Sequence, residues 1–136
     1  MTNLIAYLPD LLSGLSVTLT LMLASVAAGL VLAVLMTLCS ISENIFLQKP
    51  VNLFIFFIRG TPLLVQLFLV YYGLGQFEWI RHSFLWIALR EPTVCAIIAL
   101  SVNTACYTSI LLKGAIHSVP KSEIAACEAL GMSKWL

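Results

Sequence analysis

An all-α bundle of membrane-spanning helices is the fold class the sequence predicts, on two observations. Composition is the first: 61% of residues are hydrophobic, 10% are charged, and mean hydropathy is +1.04, whereas soluble domains carry about 25% charged residues. Charge placement is the second. No charged residue stands between Asp10 and Glu43, between Arg59 and Glu78, or between Glu91 and Lys113. Each of these stretches reaches or approaches the about 20 apolar residues that a helix needs to cross a bilayer. The 136 residues suffice for one small unit, taken as a single domain over 1–136. A net charge of +1 without a basic run gives no reason to expect nucleic acid.

The opening "MTNLIAYLP" lacks the Lys or Arg that begins a secretory signal, so the first helix is expected to be retained. The first span is predicted at about 11–39, long enough to tilt. Within it Ser25, Gly29 and Ala33 recur every fourth residue. Small residues at that spacing either form a seam for a close helix or reflect the ordinary small-residue content of membrane helices. "SISENIFLQKP", Ser40 to Pro50, reads as a short polar connection.

A second span is predicted at about 51–77, with a break inside it. "VNLFIFFI" leads into "RGTPLLVQLFLVYYGLGQF". The residue before a proline avoids helical angles, so Gly60-Thr61 should interrupt the chain, and Thr61-Pro62 is a good helix start. Arg59 in mid-bilayer would cost about 2.5–3.5 kcal/mol, whereas at the membrane edge it reaches the headgroups. The break therefore marks either the membrane boundary or a discontinuity lining a cavity, as in transporters with broken helices. Gln66, one turn on from Pro62, either lines that cavity or bonds a neighbouring helix.

"EWIRHSFLWIALREP", Glu78 to Pro92, suits a helix lying at the interface. Pro92 opens a third span predicted at about 92–113. Its polar residues share faces: Asn103 with Tyr107, Thr104 with Thr108, Ser101 with Ala105 and Ser109. An unpartnered amide in lipid costs several kcal/mol, so the Asn103 and Tyr107 face should look inward, as an interhelical hydrogen bond or as a pathway lining. Counting Lys and Arg with the amino terminus outside puts Lys49, Arg59, Lys113, Lys121 and Lys134 in or near cytoplasmic segments and Arg81 and Arg90 outside. That asymmetry predicts an N-out chain.

After Lys113 the sequence turns polar and alanine-rich: "KGAIHSVPKSEIAACEALGMSKWL". Pro120 suits the first turn of a helix and Gly131 the position just past its end. The short rod between them suits a grip for another protein, or an ordinary interfacial turn. Cys39, Cys95, Cys106 and Cys127 lack CxxC spacing and are expected as small apolar fillers. His82 and His117 stand alone as surface or interface residues. No carboxylate pair, Cys/His couple or metal cluster sits at usable spacing, so no catalytic site and no metal site is expected.

"RGTPLLVQLFLVYYGLGQF" and "NTACYTSILLKGAIHSVP...ACEALGMSKW", with "YLPDLLSGLSVTLTLMLAS" before them, resemble the membrane (permease) subunit of a bacterial ABC importer for polar amino acids. "YYGLGQF" and "CEALGMSKW" are closest to the arginine-type permeases. The resemblance implies a type I ABC importer-like bundle in the bacterial inner membrane, with three of five expected spans present, as in the amino-terminal three-fifths of a permease. It implies a translocation pathway for arginine or another basic amino acid. The implied partners are cytoplasmic ABC ATPase subunits, a second permease subunit (same or homologous), a periplasmic amino-acid-binding protein and the lipid bilayer. ATP and Mg would be used by the ATPase; this chain has no GxxxxGK[ST] loop and is expected to bind no cofactor.

Carried onto this chain, the cytoplasmic loop at about 114–136 would hold the ATPase-coupling element. Pro120 and Gly131 would bound it, Ala126, Ala129 and Leu130 would form its packing face, and Glu123 and Glu128 would lie beside it. The motif Arg59, Gly60, Thr61, Pro62 and Gln66 would start the second helix half. The family's usual glutamate is replaced by Ala125, and Cys127 takes the third position of the pattern, which puts a charge contact from that glutamate in doubt. The alternative from another class is a truncated membrane interaction protein that binds partner subunits without forming a competent pathway.

Overall fold

The computed structural model describes residues 8–84 and 86–132. The opening heptapeptide and the closing "SKWL", with the Lys134 of the charge count, lie outside the described residues. The elements are helices α1 (Leu8–Ile41), α2 (Ile45–Gly60) and α3 (Leu63–Phe68), a wide π-type turn (Leu69–Gly73) and a tight 3-10 turn (Leu74–Gln76), then α4 (Glu78–Arg81), α5 (Trp86–Leu89), α6 (Pro92–Ser118) and α7 (Lys121–Ala129).

Helix α1 has 34 residues and α6 has 27, about 51 and 40 Å at 1.5 Å per residue. Both are long and apolar enough to cross a membrane. They pack on each other through the small-residue stripe. Ser25, Gly29, Ala33, Thr37 and Ser40 are the buried residues of α1, and the stripe meets α6 at Ser101, Thr104 and Ser109. A β-carbon at Gly29 would stand 2.9 Å from Thr104 Cβ and 3.1 Å from the Ser101 carbonyl oxygen. The seam is therefore closed within the chain. The Thr37 hydroxyl donates to the Ala33 and Ser109 carbonyls at 2.7 and 3.3 Å. Ser25 and Ser109 donate back within their own helices, whereas the Ser101 hydroxyl is buried without a hydrogen-bond partner among the described residues.

Gly29 meets Ser101, Thr37 meets Ser109, and Ser40 meets Lys113. Contact numbers rise together along both helices, so α1 and α6 run parallel. Two parallel crossings require the chain between them to return across the membrane.

That return is bent, not one straight span over 51–77. Helix α2 and the segment Leu63–Gln76 meet at 110°. Thr61 is extended (φ −107°, ψ 142°), and so is Pro62 (φ −62°, ψ 139°), because the proline ring bars helical angles before it. The helix also starts earlier than the sequence suggested. Asn44 Oδ1 accepts from the Phe46 N–H at 3.0 Å and caps α2 at Ile45. Only residues 42–44 form the connection, and Pro50 sits inside the helix, where its missing N–H forfeits one bond near the start. The single interfacial helix expected over 78–92 is instead two short turns, α4 and α5. At the other end α6 runs past Lys113 to Ser118, since Gly114 to Ser118 contains no helix-stopping proline.

Candidate functional site

At the break the Thr61 N–H closes a tight turn on the Ile58 carbonyl at 3.3 Å, since carbonyls at a helix end lack α-helical partners. Gln66, one turn into α3, reinforces that end. Its Nε2 donates to the Ile58 carbonyl at 2.7 Å, to the Thr61 carbonyl at 3.1 Å and to Thr61 Oγ1 at 2.9 Å, and Thr61 Oγ1 itself donates to the Ile58 carbonyl. Asn103 Nδ2 on α6 donates to Gln66 Oε1 at 3.1 Å. One buried amide thus ties the end of α2, the start of α3 and the middle of α6 together, in a setting where each unmade bond is expensive. In the crook of the elbow lies a cavity of about 340 Å³, walled by Phe54, Phe57, Val65, Leu69 and Val102, with Thr61 and Gln66 among its lining. The discontinuity lines a cavity.

Tyr107 shares a face of α6 with Asn103 but serves a different group. The Arg59 guanidinium lies over its ring, 5.2 Å from the centroid. Tyr107 precedes Lys113 by six residues, about 9 Å along the helix, and Lys113 is level with the end of α1. Arg59 therefore lies well along α6 from the α1–α2 turn, not beside it, and its guanidinium rests on an aromatic face. Gly60 borders open space.

A second polar knot escaped the sequence reading. Lys113 Nζ donates to Ser40 Oγ at 2.9 Å, the Ser40 carbonyl at 3.4 Å and Asn52 Oδ1 at 3.5 Å, and Ser40 Oγ donates to Asn52 Oδ1 at 2.5 Å. Gln48 Nε2 reaches the same Ser40 carbonyl at 3.3 Å. An ammonium at the carbonyl end of α1 also meets the negative pole of that helix. A signal was available: Asn52 is the lone amide in "VNLFIFFI", and Lys113 is the lone charge of α6.

Past Ser118 the chain turns through Val119 and Pro120 into α7. Pro120 (φ −65°, ψ 133°) precedes the helix. Gly131 ends it with φ +77°, the left-handed conformation glycine tolerates. Its N–H donates to the Glu128 carbonyl at 3.0 Å and the Met132 N–H to the Cys127 carbonyl at 3.0 Å, the paired bonds of a Schellman stop. Glu123, Ala126, Glu128, Ala129 and Leu130 are all exposed, Leu130 to 80%. This helix is formed, stopped and, among the described residues, exposed from Ser122 to Leu130.

Residues 25–136 match the family described as "Binding-protein-dependent transport system inner membrane component". The chain belongs to that family. This permease-family chain is 47% identical to the octopine transport system permease protein OccM of Rhizobium radiobacter over 91% of its own length and 51% of the relative's. It is 46% identical to the arginine ABC transporter permease protein ArtM of Escherichia coli, covering 94% of itself and 58% of that protein. The chain thus spans about half the length of the curated relatives it matches. A solved structure described as "Crystal structure of an amino acid ABC transporter with histidines" superposes with a TM-score of 0.82 at 28% identity, over 98% of this chain and 58% of that one. The bent return and the parallel α1–α6 pair thus belong to a multi-pass membrane protein of the permease family.

Proposed function

We propose that this chain is the amino-terminal part of the membrane subunit of an ATP-driven, binding-protein-dependent importer of a polar amino acid, arginine or another basic one. The observation that carries the reading is α7: a short, fully exposed helix with a glycine stop, at the end of the molecule where α1 turns into α2. A nine-residue helix with little apolar surface gains nothing from standing alone in water, and its sequence keeps Ala126, Ala129 and Leu130 on offer to a partner. A cytoplasmic ATPase cleft is that partner in this reading, and ATP with Mg is consumed there. The relatives named for octopine and arginine transport support a basic amino acid as cargo. A second permease subunit, a periplasmic binding protein and an outside amino terminus complete the arrangement, with Lys49, Lys113 and Lys121 on the cytoplasmic side and Arg81 and Arg90 opposite.

Reconstitution with an ATPase pair and a binding protein tests it. The expected result is ATP hydrolysis that rises when the binding protein carries its amino acid. Hydrolysis indifferent to the loaded binding protein, with the ATPase still bound, would leave the chain as a membrane interaction protein only.

A further inference from the structure

Between α1, α2 and α6, on the side where α1 ends, lies a second cavity of about 300 Å³. Arg59 and Lys113 both line it, with Ser40, Asn52 and Ser109, and Phe56 forms part of its apolar flank. No carboxylate lines it. Among the described residues the only ion pair is Arg90 with Glu91, at the far end of α6. Lys113 is hydrogen-bonded to neutral oxygens alone, and the Arg59 guanidinium has the Tyr107 ring but, among the described residues, no hydrogen bond and no ion pair. Two cations share one concavity between three helices without a counter-charge among the described residues. Such a pair is expensive in hydrocarbon and lowers its energy by gathering an anion.

The geometry points to a site for a phosphate group, supplied by an anionic phospholipid of the leaflet at the α1–α2 turn. A planar guanidinium and a point-like ammonium are a matched pair for tetrahedral phosphate oxygens. Lys113 stands level with the end of α1, where the spanning helices leave the hydrocarbon, which is headgroup depth. Arg59 lies deeper, and its long stem lets the guanidinium rise to the same phosphate. Phe56 and Leu53 are exposed to 76% and 68% on the adjoining surface of α2, a continuous apolar track for an acyl chain. Free phosphate has the same headgroup chemistry but no use for that track. The inference requires only that the chain sits in a bilayer and is independent of the transport reading.

The 136-residue chain, purified in mild detergent and exchanged with equal amounts of phosphatidylglycerol and phosphatidylcholine, is read by native mass spectrometry. Phosphatidylglycerol should be retained in preference. Arg59→Gln and Lys113→Met should each lower that preference about fivefold, from the roughly equal share each cation contributes near anionic lipid. The double variant should abolish it, Lys113→Arg should preserve it, and Arg81→Gln at the opposite end should leave it untouched. Displacement of the lipid by millimolar inorganic phosphate would assign the pocket to free phosphate as the source. Equal retention of both lipids, or a double variant or Arg81→Gln indistinguishable in effect from each other, overturns the site.

Discussion

Replacing Gly29 by alanine probes the contact on which the α1–α6 pair depends. The new β-carbon would meet Thr104 Cβ at 2.9 Å, Thr104 Cγ2 at 3.1 Å and the Ser101 carbonyl oxygen at 3.1 Å. Carbon atoms rest at about 3.5–4.0 Å, so roughly 0.6–1 Å of separation must be found. Two of the three obstacles are a backbone oxygen and a Cβ, which no rotamer change removes, so α1 and α6 must part. Overpacking of this kind costs typically about 1–3 kcal/mol, and alanine's better helix propensity returns at most about 1 kcal/mol. A net loss of about 1 kcal/mol is expected for Gly29→Ala, and more for Gly29→Val. Gly14 is the internal reference, since nothing lies within 4 Å of a β-carbon there, and Gly14→Ala should be neutral or slightly stabilising. Reversible unfolding of the chain in mixed micelles by rising SDS fraction, followed by tryptophan fluorescence, gives the comparison. Gly29→Ala as stable as Gly14→Ala would refute the close approach and, with it, the parallel register of the two helices.

Other perturbations test the remaining elements. Gln66→Leu strips the Ile58 and Thr61 carbonyls and Asn103 of their shared partner, and should destabilise the chain by about 1–3 kcal/mol in the same unfolding assay; the double change with Asn103→Leu should cost less than the two single changes added together. Gly131→Val forces a β-branched residue to φ +77° and should lose about 1–2 kcal/mol of local stability. In a complete permease carrying it, uptake should fall while membrane insertion persists, and unchanged uptake would count against a coupling role. Arg59→Lys keeps the charge but loses the guanidinium contact with the Tyr107 ring, worth about 0.5–1 kcal/mol, and should be nearly neutral for uptake; normal expression with lost uptake would mean that the contact positions the elbow. Ser122→Cys in intact cells should resist thiol reagents that do not cross membranes, and ready labelling would place α7 on the wrong side.

Local chemistry was legible in the sequence and distant geometry was not. Thr61-Pro62 announces a break because the proline ring acts on its immediate neighbour, and Gly131 announces a stop because only the backbone at that residue decides it. The 110° of the turn was hidden, as was the brace beside it, since Asn103 and Gln66 stand 37 residues apart. Pro50 misled in the opposite direction: it looks like a connection until Asn44 is seen capping the helix that contains it. The small-residue stripe left a seam and ordinary composition equally open, and the structure closes it as a seam against the chain's own α6. Lys113 and Asn52 each stood out in their own stretch, but nothing joined them to Ser40, which lies 73 positions from Lys113. The Arg59–Tyr107 contact was hidden too, since its two residues stand on different helices.

The parallel pairing of α1 and α6 has a mechanical outcome. With Gly29 against Thr104 and Lys113 tied to Ser40, neither helix slides past the other without breaking close contacts. α6 continues without an internal proline to within two residues of α7. A push arriving at that short rod would therefore move a two-helix slab as one piston, and the first place able to yield is the elbow at Thr61, whose far half is hydrogen-bonded to the slab through Gln66 and Asn103.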